Sequence, residues 1–203
     1  MRTSLKADPD ARAARPYLEK TAGIVSVNLA HYRPDPLSHM ATIKELMLTR
    51  PRLTLAVAES MTCGRVQAHI GKISGASRFF VGGITAYTLE QKVQHLGVDE
   101  AAATPVNCVS AEVAEQMARG ACEFFSASIG VATTGYAEPD PEWNVNEPFA
   151  WWAVAHRQRT GRYGVRSGRI DCPGAPRVIA QELAAAAALS ALENFLKALR
   201  KRR

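Results

Sequence analysis

From residue 41 onward, apolar positions fall into two alternating rhythms. In Ala41–Thr49, Ile43, Leu46 and Met47 recur at helical spacing and Pro51 stands beyond the end, so a helix is expected there. Leu53–Ala58 is a short continuous apolar run, the pattern of a buried strand. Cys63–Ile73 returns to helical spacing and closes at Ser74-Gly75. Phe79–Tyr87 predicts a strand whose Gly82-Gly83 pair marks a bulge or a close-packing point. Thr88-Leu89-Glu90-Gln91 fits a capping box, so a helix is expected from Leu89 to near Gly97.

Ser110 caps an expected helix over 111–125, whose apolar stripe is Val113, Ala114, Met117, Ala121 and Phe124. Ser128–Thr133 and Trp151–His156 read as buried strands, and Thr160-Gly161 as a hairpin turn into Tyr163–Ile170. Ala175–Arg200 reads as a closing helix with the strongly helix-forming run Ala184–Ala188. Helices alternating with short apolar strands predict an α/β fold, a three-layer α/β/α sandwich. The hairpin makes its sheet mixed, with largely parallel pairing expected. Residues 1–39 break both rhythms, with prolines at 9, 16, 34 and 36, and read as an N-terminal extension to a domain over 40–203. Within the extension, Gly23–Val27 is a candidate short strand.

Composition narrows the function classes. At 203 residues, 47% apolar and 22% charged, the chain has the make-up of an ordinary globular domain. No apolar run approaches the ~20 residues that span a bilayer, and no secretory leader is evident, so a cytoplasmic protein is expected. The cysteines at 63, 108, 122 and 172 form no C-x-x-C pair and no H-E-x-x-H is present, so no metal site is expected. The net charge of +6 is concentrated at the end: Lys197, Arg200, Lys201, Arg202 and Arg203 carry five of those charges, and a nucleic-acid partner is not expected.

Three expected strands end in polar clusters: Glu59-Ser60-Met61-Thr62, then Tyr87-Thr88 leading to Lys92, then Thr133-Thr134-Gly135-Tyr136. Open α/β sheets gather ligands beyond the carboxyl ends of their strands, so parallel neighbours would bring these clusters to one rim. A serine hydroxyl needs a base to become a nucleophile. No histidine lies in the clusters, and Lys92 serves if burial lowers its pKa, with Tyr87 relaying a proton or orienting the lysine. Backbone N–H groups at the helix start after Thr62 offer an anion site. Spacing alone favours Ser60 or Thr62 as a mere helix cap, and Glu59 as a solvent-facing carboxylate or the partner of a nearby base. The single glycine in Thr134–Pro139 is a weak phosphate-loop signal.

The order AES-x-T-x-G at 58–64, Ile73–Phe80, Gly83–Tyr87, Lys92, Leu96-Gly97-Val98, Val109–Ala114, Met117–Ala121 and Thr134-Gly135-x-Ala137-x-Pro139 resembles the CinA C-terminal-domain family over about 41–200. The resemblance implies a nicotinamide-nucleotide amidohydrolase, which converts nicotinamide mononucleotide to nicotinate mononucleotide and ammonia without a cofactor. It implies Ser60 as nucleophile, Tyr87 and Lys92 as its catalytic partners, and a pocket lined by Thr62, Gly64, Thr133, Thr134 and Gly135. It also implies that Arg177 meets the phosphate, and that the protein is a homodimer. The chain departs from the family pattern at Met61 and Cys63, where Cys-Thr-Gly-Gly is usual, and at Glu138, where a loop glycine is usual. The glycine-rich stretch after that loop is replaced by Asp140–Asn146. These departures motivate an alternative: a catalytically silent domain that binds a nucleotide-like ligand or a protein partner.

Overall fold

The computed structural model describes residues 19–21, 24–26 and 36–201. Most of the expected extension and the last two residues of the basic tail lie outside the described residues. The elements are β1 (Glu19–Thr21), β2 (Ile24–Ser26), α1 (Pro36–Leu48), β3 (Leu55–Glu59), α2 (Arg65–Gly71), β4 (Phe80–Thr85) and α3 (Leu89–Leu96). They continue with α4 (Glu100–Ala103), α5 (Ala111–Phe124), β5 (Ile129–Tyr136), β6 (Phe149–Arg157), β7 (Tyr163–Asp171) and α6 (Arg177–Lys201). The strands form one sheet in the order β1-β2-β7-β6-β5-β3-β4.

The expected α/β class and mixed sheet are both found. Parallel pairing does not dominate, however. β2 with β7, β3 with β4 and β3 with β5 are parallel, while β1 with β2, β5 with β6 and β6 with β7 are antiparallel. The hairpin through Gly161, whose φ is 81°, sets β7 antiparallel to β6, and the connection from Tyr136 to Phe149 has already turned β6 back along β5. The candidate strand in the extension is present as Ile24–Ser26 against β7, and α1 starts at Pro36, ahead of the expected domain boundary.

The alternation of side chains across the sheet divides the core. Leu55 and Val57 of β3 and Ile129 and Val131 of β5 face a layer built from α1, α2 and α6. Ala56, Ala58, Ala132, Ala153 and Ala155 face α5 and its neighbours. These small residues let α5 lie close. A Cβ on Gly130 would come 2.0 Å from Ala118 O, so only glycine fits under that helix. The glycine pair in β4 also marks close packing, since Cβ atoms there would strike Phe125 at Gly82 and Gln67 at Gly83. The register slips beside it, between Leu55 and Ala56.

Part of the basic C-terminus is structural. The Arg200 guanidinium donates to Leu46 O and Thr49 O at the end of α1, at 3.0 and 2.9 Å. Lys197 Nζ lies 2.6 Å from Glu193 Oε1 one turn back. The Arg200 bonds satisfy carbonyls that the end of α1 leaves free. Among the described residues, no helix is long and apolar enough to cross a membrane.

Candidate active site

β5, β3 and β4 are parallel neighbours, with Glu59 level with Thr133 on one side and Thr85 on the other. The polar clusters therefore converge at one rim, as their sequence positions predict. A cleft of about 530 Å³ opens there. Its wall includes Ser60, Tyr87, Lys92, Thr134, Gly135 and Arg177. Thr62, Gly64 and Thr133, expected in the lining, are not among the residues that line it.

Thr62 and Gly64 instead hold a buried carboxylate behind the cleft wall, and Thr133 braces Thr62. Glu59 is 0% exposed, neither solvent-facing nor paired with a base. Its Oε2 accepts from Thr62 Oγ1 at 2.6 Å, Gly64 N at 3.0 Å and Val66 N at 3.1 Å, and its Oε1 from Gln67 N at 2.9 Å. Thr62 Oγ1 also lies 2.6 Å from Thr133 Oγ1, which ties the turn to β5. The cap of α2 is thus Glu59, not Ser60 or Thr62. The expected anion site at this helix start is already filled, because a carboxylate of the chain takes the amides that an oxyanion or phosphate would need.

Two consecutive left-handed residues, Cys63 at φ 49° and Gly64 at φ 92°, bend the chain back so that these amides face Glu59. A side chain at Cys63 costs about 1–2 kcal/mol in that conformation. Met61 is 3% exposed, and a Cβ on Gly135 would come 2.7 Å from its Sδ. Gly135 is therefore a packing glycine on β5 rather than part of a phosphate loop: β5 runs to Tyr136, three residues past its expected end.

Ser60 is 7% exposed, and its N–H donates to Thr133 O at 3.0 Å, which fixes the strand end beneath its side chain. Lys92, on α3, is 2% exposed, and its Nζ donates to Tyr87 O at 2.7 Å. Burial pulls the Lys92 pKa below the usual lysine value, opposed by the charges of Cys108 and Glu90. Thr88 occupies the expected cap position of α3, but without the side-chain cap bond of a capping box. No hydrogen bond joins the Ser60 hydroxyl to Lys92 or Tyr87. The Tyr87 hydroxyl is turned elsewhere and accepts from Arg177 Nη2 at 3.1 Å. Arg177, the first residue of α6, also makes an ion pair with Glu138.

The cleft has walls that the sequence did not disclose. Asn107 and Cys108 are consecutive left-handed residues, at φ 48° and 60°. Cys108 O accepts from the buried Thr134 hydroxyl at 2.7 Å, and Asn107 Nδ2 donates to Tyr136 OH at 3.0 Å. Both residues, with Tyr136 and Trp143, line the cleft. Burial raises the Cys108 thiol pKa, with Lys92 opposing the shift. The only advance signal was the tolerance of asparagine for left-handed backbone. Among the described residues, no group of three or more His, Cys, Asp or Glu side chains is placed to hold a metal ion.

A sequence model described as the CinA C-terminal domain matches residues 38–196. A CinA-like protein of Picosynechococcus sp. is 33% identical over 205 residues, covering 97% of this chain and 46% of its own length. A putative competence-damage inducible protein of Desulforamulus reducens is 44% identical over 136 residues, covering 62% of this chain and 33% of its own. The chain thus spans less than half the length of these curated relatives. The solved CinA superfamily protein from Enterobacter cloacae superposes with a TM-score of 0.72 at 21% identity, over 83% of this chain and 97% of its own. The competence/damage inducible protein CihA from Agrobacterium tumefaciens gives 0.66 at 26% identity, over 82% and 98%.

The Glu59 network predicts a large stability effect. Glu59→Gln replaces an acceptor-only group with one that turns an NH2 toward the same donors. Each hydrogen bond to a charged group contributes about 1.5–3 kcal/mol, so urea unfolding of this variant should lose at least about 3 kcal/mol.

Proposed function

The chain belongs to the CinA C-terminal domain family, and from that premise we propose that its cleft is the active site of a serine amidohydrolase. The substrate is the carboxamide of nicotinamide mononucleotide or a closely related pyridinium compound. One observation carries this reading: a serine at the carboxyl end of a central strand and a buried lysine of lowered pKa share one cleft.

The chemistry follows from the donors and acceptors. Neutral Lys92 keeps one N–H on Tyr87 O, which leaves its lone pair for the Ser60 proton. The Ser60 oxygen attacks the carboxamide carbon. The lysine ammonium returns that proton to the nitrogen of the tetrahedral adduct, the C–N bond breaks, and ammonia departs to leave an ester on Ser60. Water then adds to the ester with Lys92 again as base, giving the carboxylic acid and free serine. Tyr87, anchored by Arg177, positions the ring of the substrate and relays a proton at the cleft mouth. The Ser60–Lys92 hydrogen bond forms as substrate closes the site, since such contacts tighten in the Michaelis complex.

A second reading has its own support. The Arg177–Glu138 ion pair occupies the expected phosphate partner, as in a cleft that binds without turnover. Ammonia release separates the two readings. With nicotinamide mononucleotide, wild-type protein should release ammonia, and Ser60→Ala should lose at least about 10³-fold with an unchanged melting temperature. Binding without ammonia release by the wild type selects the silent reading.

The pH profile tests the base. Only neutral Lys92 accepts the serine proton, so kcat/KM rises with pH and levels off above the Lys92 pKa. Burial lowers that pKa, so the rise falls below the ~10.4 of free lysine. A limb at or above the free-lysine value removes Lys92 from the role.

A further inference from the structure

The cations lining the cleft are Lys92 and Arg177, and the anions are Glu138 and Asp140. Lys92 is 2% exposed and bonded to a carbonyl, so an incoming anion meets Arg177. Arg177 is already engaged on two sides. Its Nη1 pairs with Glu138, and its Nη2 donates to the Tyr87 hydroxyl at 3.1 Å. A phosphate that docks on the Nη1 side must displace the Glu138 carboxylate, and one that takes the other N–H groups sits beside it. Like charges at that range oppose each other, whereas an uncharged or cationic group displaces nothing. Aromatic rings of Tyr136 and Trp143 also line the cleft, and ring faces attract cations.

We infer that Glu138 is a specificity-determining residue that occupies Arg177, so that the cleft favours phosphate-free, cationic aromatic carboxamides over phosphate-bearing ones. The ligand class is a pyridinium nucleoside rather than a nucleotide. Glu138 side-chain atoms are 60% exposed and those of Arg177 44%, so the pair can exchange partners without unpacking the core. Glu138 is not used in the serine chemistry. The inference rests on the carboxamide reading for the ligand class and the probes, whereas the Glu138–Arg177 contact stands without it.

The test is a pair of calorimetric titrations, with nicotinamide mononucleotide and with its dephosphorylated counterpart, nicotinamide riboside. Each is added to wild-type protein and to Glu138→Gln, whose fold is checked by thermal melting. Wild-type protein should bind the riboside more tightly. In Glu138→Gln the mononucleotide Kd should fall at least about fivefold, with the riboside Kd changing less than about twofold. Equal shifts for both probes, no shift for either, or no binding of either probe to either protein overturns the inference. Ammonia release read in parallel keeps the two proposals apart. A shifted Kd ratio without turnover supports the specificity role and removes the amidohydrolase. Turnover with an unshifted ratio does the reverse.

Discussion

A carboxylate buried at the end of a central strand must find donors, and that requirement shapes the whole rim of this sheet. An ionised group out of water is tolerated only when it is fully hydrogen-bonded. Glu59 meets the condition by collecting the first free amides of α2 and the Thr62 hydroxyl. The chain between β3 and α2 has to turn back sharply for those amides to arrive, and it does so through left-handed backbone at Cys63 and Gly64. The same turn leaves Ser60 at the cleft wall and Thr62 behind it, bonded to β5.

This arrangement redistributes roles. The helix start, a natural anion site in many α/β proteins, is spent on an internal anion. Positive charge for a ligand comes instead from across the cleft, from Arg177 on α6, and Glu138 already meets it. Lys92 stands apart from both. It is buried against a carbonyl and, among the described residues, makes no ion pair, so its surroundings shift it toward the neutral amine that a base requires.

Much of this was legible in the sequence, and the misses share a cause. Period and punctuation located the strands that lead to Ser60 and Tyr87 and the one that carries Thr134, because those signals are local. The convergence of three strand ends was expected only for parallel neighbours, and β5, β3 and β4 meet that condition. Whether a polar residue faces the cleft or the interior was not legible, since Thr62 meets Thr133 across the sheet and Glu59 reaches its donors only because left-handed backbone folds the chain back. The pairing of Arg177 with Glu138 joins residues from distant elements that no spacing connects. The balance of parallel and antiparallel pairing was misjudged because β6 turns back against β5, and β1 against β2, directions that no local period records. The Asn107-Cys108 wall depends on two left-handed residues in a stretch without glycine.

The central claim is that Ser60 carries the acyl group between amide cleavage and hydrolysis. Turnover of nicotinamide mononucleotide in the presence of hydroxylamine, with rapid quenching and peptide mass spectrometry, tests it directly. A hydroxamate product and a nicotinoyl-nucleotide ester on the peptide containing Ser60 are expected. An adduct mapped to Cys63 or Cys108, or ammonia release with no acyl transfer to hydroxylamine, would contradict it.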